Sequence, residues 1–168
     1  MDPMFSIDDL LGDDPRRRFE RILASRCAAG DAFALMLVDL DHFSSVSRRS
    51  TEQVVDLLLD ELGARLRDTL GTRAVVTRSA ESQFAILVCG VTDLKAAERI
   101  AARLVERLQR PMHVAGTRFR LSASVGVTLF PRDGVDWRAL LKQADAASCD
   151  AKTPGRGKIS ISFAPPVV

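Results

Sequence analysis

Apolar residues fall along this chain in two rhythms, spaced stripes and near-continuous runs, and together these predict its elements. A first helix is expected from Asp14-Pro15 to about Ala29, with Phe19, Ile22 and Leu23 as its apolar stripe and Gly30 as its stop. Phe33 to Leu40 is almost wholly apolar, the pattern of a central strand buried on both faces. Val54, Leu58, Leu62, Leu66 and Leu70 recur every fourth position, which predicts a long amphipathic helix over about 51–70. Arg73 to Arg78 and Gln83 to Val88 are short β-rich runs split by Ser79-Ala80-Glu81-Ser82, and so pair as a hairpin.

Asp93 is placed to cap the next helix, whose stripe is Ala97, Ile100, Ala101, Leu104, Val105 and Leu108 and which Pro111 ends. Phe119 to Leu129 contains an alternating strand with Leu121, Ala123, Val125 and Val127 on one face. Asp136 caps a last helix carrying Trp137, Leu140, Leu141 and Ala144, closed by Pro154-Gly155, and Lys158 to Phe163 alternates as a final strand. The order α-β-α-β-β-α-β-α-β, without repeat or composition shift, predicts one α/β (α+β) domain, a mixed central sheet flanked by helices. Residues 1–13 read as an acidic leader or linker end, 14–163 as the domain, and 164–168, with Pro165-Pro166, as the start of a C-terminal linker.

Composition narrows the function classes. With 168 residues, 46% hydrophobic and 27% charged, the chain has the balance of an ordinary globular domain. No apolar run approaches the roughly 20 residues that span a bilayer. Met1 to Gly12 carries three Asp and no basic residue, unlike a signal peptide, so a soluble cytoplasmic setting is expected. Twenty-four basic residues against 22 acidic leave a net charge of only +2, and no basic stripe is interleaved with aromatics, which argues against nucleic acid as a partner. Cys27, Cys89 and Cys149 are odd in number and widely spaced, as free thiols of a reducing compartment would be. His42 and His113 share no ligand spacing, so zinc is not expected.

The candidate chemistry lies where the central strand ends, at Val38-Asp39-Leu40-Asp41-His42-Phe43. A carboxylate half in water at a strand end is well placed to hold Mg²⁺. The same pattern also suits two solvated residues in a strand-to-helix turn. Three further features favour the first reading. The hairpin turn should lie beside this strand end, Asp56 opens the long helix, and Lys152-Thr153-Pro154-Gly155-Arg156-Gly157-Lys158 is a basic, glycine-containing loop of the kind that grips phosphates.

In this order, the chain resembles a GGDEF domain, the bacterial diguanylate cyclase module that joins two GTP molecules into cyclic di-GMP. The likeness runs from about Ile7 to Phe163. Asp8-Asp9-Leu10-Leu11-Gly12 through Phe19 resembles the family's opening motif, and Val38 to Phe43 its strand-end motif. Ser122 to Thr128 is similar to Ser-x-Gly-Val-Ala, Gln143 to Ala147 to the Ala-Asp-x-Ala helix, and Lys152 to Arg156 to Lys-x-x-Gly-Arg.

The resemblance implies roles position by position. Asp39 falls on the family's metal-binding Asp, Asp56 on a guanine-reading Asp, and Lys152 and Arg156 on the phosphate-gripping pair. Ser44 stands for a phosphate-approaching Lys, Ser47 for the guanine-reading Asn, and Arg48 for the Asp after it. The signature Gly-Gly-Asp-Glu-Phe falls on Ala80-Glu81-Ser82-Gln83-Phe84, so only the core residue Phe84 survives. Ala80 and Glu81 add Cβ atoms where glycines would admit a nucleotide and a positive φ. Ser82 is a neutral, poor Mg²⁺ ligand, and Gln83 carries no charge. Losing one well-placed electrostatic group costs about 10²–10³-fold in rate, so losing several implies no turnover and no catalytic residue.

The product-binding Arg-x-x-Asp of the family falls on Gly71 and Ala74, which implies no product binding there. The domain is therefore expected to be a degenerate, inactive GGDEF unit that regulates or contacts a protein partner. That partner would be a neighbouring EAL-type phosphodiesterase or sensor domain of a larger protein. No cofactor is expected, with Asp39 leaving room for weak Mg²⁺. The alternative is an allosteric module that holds GTP weakly, without turnover, and so activates a neighbouring phosphodiesterase domain.

Overall fold

The computed structural model describes residues 14–152 and 160–164. The leader, the opening motif at Asp8 to Gly12, the loop containing Arg156 and the Pro165-Pro166 tail lie outside the described residues. The elements in chain order are α1 (Pro15–Ala29), β1 (Phe33–Leu40), α2 (Phe43–Arg49), α3 (Glu52–Leu70), β2 (Ala74–Ala80), β3 (Gln83–Cys89), α4 (Leu94–Gln109), β4 (Met112–Val114), β5 (Thr117–Phe119), β6 (Ala123–Phe130), α5 (Trp137–Ala151) and β7 (Ser160–Phe163). A five-stranded sheet runs β2-β3-β1-β6-β7, and β4-β5 form a separate hairpin. Pairing is antiparallel except between β6 and β7, so the sheet is mixed, as the sequence predicts.

The apolar run of β1 sits at the centre, and alternation sends its side chains to two cores. Ala34, Met36, Val38 and Leu40 join Phe84, Ile86 and Val88 beneath α3 and α4, whose Leu58, Leu62, Leu66, Leu104 and Leu108 are fully enclosed. Phe33, Leu35 and Leu37 meet Ala85 and Leu87 beneath α1 and α5, which contribute Phe19, Leu23, Leu140 and Ala144. Helix boundaries follow capping. Asp93 Oδ1 accepts from Ala96 N at 2.8 Å and Asp136 Oδ1 from Arg138 N at 3.3 Å, both at expected positions, while Thr51 Oγ1 caps α3 through Val54 N at 3.4 Å. After α1, Gly30 takes φ 75°, the left-handed stop that glycine reaches without steric cost.

The predicted order omits three elements. Helix α2 spans seven residues and buries only Phe43, and β4 and β5 have three residues each around an Ala115-Gly116 turn in which both φ are positive. Elements this short leave no measurable period. Helix α5 lies unusually close to β6, because a Cβ at Gly126 would collide with the Ala144 carbonyl oxygen and the Ser148 amide. No helix among the described residues is long and apolar enough to cross a membrane.

Candidate functional site

Three segments converge at the C-terminal end of β1. Antiparallel pairing sets Asp39 opposite Gln83 on one side and Ser124 on the other, which brings the β2–β3 turn to the strand end. The Leu40 amide donates to the Ser82 carbonyl at 2.8 Å and fixes that turn against β1. From the third direction α5 ends at Ala151, and Lys152 follows it.

Asp39 has a side chain only 16% exposed, and both of its oxygens are engaged. Lys152 Nζ donates to Oδ2 at 2.8 Å, and Ser82 Oγ donates to Oδ1 at 3.4 Å. Charge-assisted N–H···O bonds of this length are the strong kind. Asp41 is occupied separately, its Oδ2 accepting from Ser122 Oγ and its Oδ1 from Ser124 Oγ, each at 2.8 Å. The two carboxylates of the Asp-x-Asp motif therefore do not form one cation site, and Asp41 ties the strand end to the segment leading into β6.

The turn itself consists of Glu81 and Ser82 between Ala80 and Gln83, which face each other across the hairpin. A bulge leaves Ser79 outside the regular register, and its hydroxyl lies 2.8 Å from Gln83 Oε1. Gln83 in turn donates from Nε2 to Asp145 Oδ1 on α5 at 3.1 Å. Neither Ala80 nor Glu81 has a positive φ. The expectation of a positive φ there is therefore not met, and the side chains of Ala80 and Glu81 bear only on the space beside the turn. Glu81 reaches α2, accepting from Ser47 Oγ at 3.1 Å. Asp56, on the first turns of α3, is exposed with Arg78 Nη1 at 4.0 Å, a spacing that contributes little in water.

Lys152, Asp39, Glu81, Ser82 and Gln83 are brought together at the end of β1, and Asp56 faces Arg78. Phe84 is 3% exposed and belongs to the core. Gly71 opens a short 3-10 turn and Ala74 begins β2, so those two positions offer neither a guanidinium nor a carboxylate. Sequence reasoning did not find the roles of Ser122, Ser124 and Asp145. All three sit in motifs that the family resemblance rests on, yet nothing in linear order pairs the serines with Asp41 or Asp145 with Gln83.

Does this donor set suit Mg²⁺? The ion takes near-octahedral oxygen ligands, usually with carboxylates among them. Here one carboxylate is already paired with an ammonium, and Ser82 offers a neutral hydroxyl. No group of three or more His, Cys, Asp or Glu among the described residues could hold a metal. The residues do not fit a two-metal centre.

A central antiparallel strand ending in an acid beside a β-hairpin turn, with helices on both faces, is an architecture shared with solved GGDEF domains. The chain belongs to the GGDEF family: the model described as "Diguanylate cyclase, GGDEF domain" matches residues 7–158. It is similar to the bifunctional diguanylate cyclase/cyclic di-GMP phosphodiesterase MucR of Pseudomonas aeruginosa, 32% identical over 139 residues that cover 83% of this chain and 20% of that one. The cyclic di-GMP phosphodiesterase NbdA of the same species is 31% identical over 157 residues, 91% of this chain and 20% of its own. Among solved structures, the GGDEF domain of TpbB from P. aeruginosa superposes with a TM-score of 0.79 at 27% identity, covering 89% of this chain and 95% of that one. The chain thus spans about a fifth of the length of these curated relatives.

Proposed function

We propose that this GGDEF domain of cyclic di-GMP signalling makes no cyclic di-GMP and serves as a regulatory, protein-contacting unit. It would act in the cytoplasm beside a phosphodiesterase (EAL-type) or sensor domain of a longer protein. One observation carries the reading: at the signature position stand Ser82 and Gln83, and the one acid kept at a metal-binding position, Asp39, is paired with Lys152 at 2.8 Å. Two-metal phosphoryl chemistry needs anionic ligands that hold cations against the attacking and leaving oxygens. Gln83 cannot supply charge there. That the relatives MucR and NbdA are several times longer than this chain supports placement within a larger protein. The test is incubation of the purified domain with GTP and Mg²⁺ or Mn²⁺. No cyclic di-GMP above a heat-killed control is expected, and product above it sinks the reading. Ser82→Glu alone should not restore activity, since Ser44, Ser47 and Gln83 remain.

A second reading is favoured by Asp56, which keeps the family's acid at the start of α3 and stays exposed. On this reading the domain binds GTP without turnover and activates a neighbouring phosphodiesterase. Calorimetric titration with GTP and ATP separates the two. The first reading expects poor affinity for both, weakening as salt rises. Tight, GTP-selective binding would favour the second.

A further inference from the structure

We propose that the cleft at the end of β1 is closed by the chain's own side chains, Lys152 serving as the cation of Asp39 and Glu81 as the partner of Ser47. The inference rests on the assignment of Asp39 and Ser47 to the family's metal and base positions. It goes beyond loss of turnover, because a dead site can be open, and this one is filled.

Asp39 is the anchor. Its side chain is largely enclosed, so leaving it unpaired would be costly. Lys152 supplies a positive charge at 2.8 Å, and Ser82 turns its hydroxyl toward the other oxygen. A divalent ion would have to displace a tethered ammonium and then find its remaining ligands among neutral groups. The ammonium comes from the residue that caps α5, whose place is set by packing on β6, so it competes as a tethered charge.

Glu81 closes the other side. It accepts from Ser47 Oγ at 3.1 Å and so bridges the hairpin turn to α2 in an exposed contact. The bond occupies the hydroxyl at the family's base-reading position and sets a negative charge beside it. Arg78 leans toward Asp56 in the same sense, but at 4.0 Å with both side chains well exposed it adds little. Substituted and retained positions thus act together: Ser82 bonds the retained Asp39, which the retained Lys152 neutralises, and Ser47 bonds Glu81.

The experiment uses the full 168-residue chain. Mn²⁺ binding is followed by electron paramagnetic resonance in the wild type, Lys152→Ala and Lys152→Met, with circular dichroism confirming the fold of each. The wild type should show no saturable binding in the millimolar range. Both variants should gain about tenfold or more in affinity, since an adjacent positive charge is removed from a shielded carboxylate. Asp39→Asn in either background should abolish the gain. Should Lys152→Ala fail to fold, Lys152→Met keeps the buried stem and carries the test. Saturable wild-type binding, or equal binding by wild type and variants, overturns the cation part.

Hydrogen exchange at the Glu81–Ser82 turn tests the other contact. Glu81→Ala should speed it about threefold or more while leaving α4 unchanged, and an unchanged rate overturns the latch. These readouts do not depend on turnover. Cyclic di-GMP produced by the wild type would sink the proposed function, whereas Mn²⁺ binding without product would sink only the closure.

Discussion

Gln83 and Asp145 meet 62 residues apart, the amide of the β3 start donating to the carboxylate on α5 at 3.1 Å. The neutral side chain at this signature position therefore has a structural partner that an acid could not keep. A Gln83→Glu reversion would set two carboxylates against each other on an exposed edge. It should lower stability by about 0.5–1 kcal/mol at neutral pH, a melting shift of about 1–4 °C. The loss should shrink as pH falls and the carboxylates protonate. Melting curves at neutral and acid pH check this, and a loss independent of pH would exclude repulsion as its cause.

Gly126→Ala should be among the most damaging single substitutions. The new methyl would meet the backbone of α5 at Ala144 and Ser148, which cannot rotate away. Overpacking against backbone costs about 3 kcal/mol, read from the urea midpoint at constant m-value. A variant as stable as the wild type would show that α5 can lift off β6.

Arg65 of α3 spans the end of α4. It donates to the Arg110 carbonyl at 2.7 Å, the Pro111 carbonyl at 3.2 Å and the Arg107 carbonyl at 3.5 Å, and pairs with Glu61 at 3.1 Å. These carbonyls lie at and just beyond the end of α4, where intrahelical donors run out. Arg65→Ala should cost about 2 kcal/mol, and Glu61→Ala, which leaves the carbonyl bonds intact, well under half of that. Equal losses in the two variants would assign the effect to the ion pair instead.

The thiols should react in order of their surroundings. Cys149 is exposed, while Cys27 is half-buried. Burial, and secondarily the Asp136 carboxylate, push the Cys27 thiol above its ordinary range. Because the thiolate is the reactive form, Cys149 should be labelled by a disulfide reagent before Cys27 at mildly alkaline pH. The sign for stability follows from the raised folded value. The neutral Cys27 thiol favours the folded state below the unfolded thiol pKa, and that contribution is lost as pH rises through the folded one. Cys27→Ser should flatten this alkaline decline in a pH series of melts.

The stripes of α3, α4 and α5 were legible because one repeating period specifies each, and β1 because its apolar run is nearly unbroken. The β2–β3 hairpin was legible from its turn, and the nearness of that turn to Asp39 from motif order. The short α2 was not, since Phe43 is its sole buried residue. Nor was the 112–119 hairpin, where Met112 and Val114 are enclosed and His113, Thr117 and Arg118 are exposed over spans too brief to show alternation. Within the site, Lys152 and Asp39 are 113 residues apart, and the serines that hold Asp41 lie more than 80 residues from it. Such pairings exist only once the sheet order β3-β1-β6 is known, and no local pattern encodes that order.

The close seat of α5 on β6 gives the Lys152–Asp39 pair a further meaning. Gly126 leaves α5 almost no freedom to slide, and Lys152 sits one turn beyond the contact at Ser148. The seat of the helix therefore sets how near the ammonium stands to Asp39, so that a glycine on one strand governs an ion pair at the end of its neighbour.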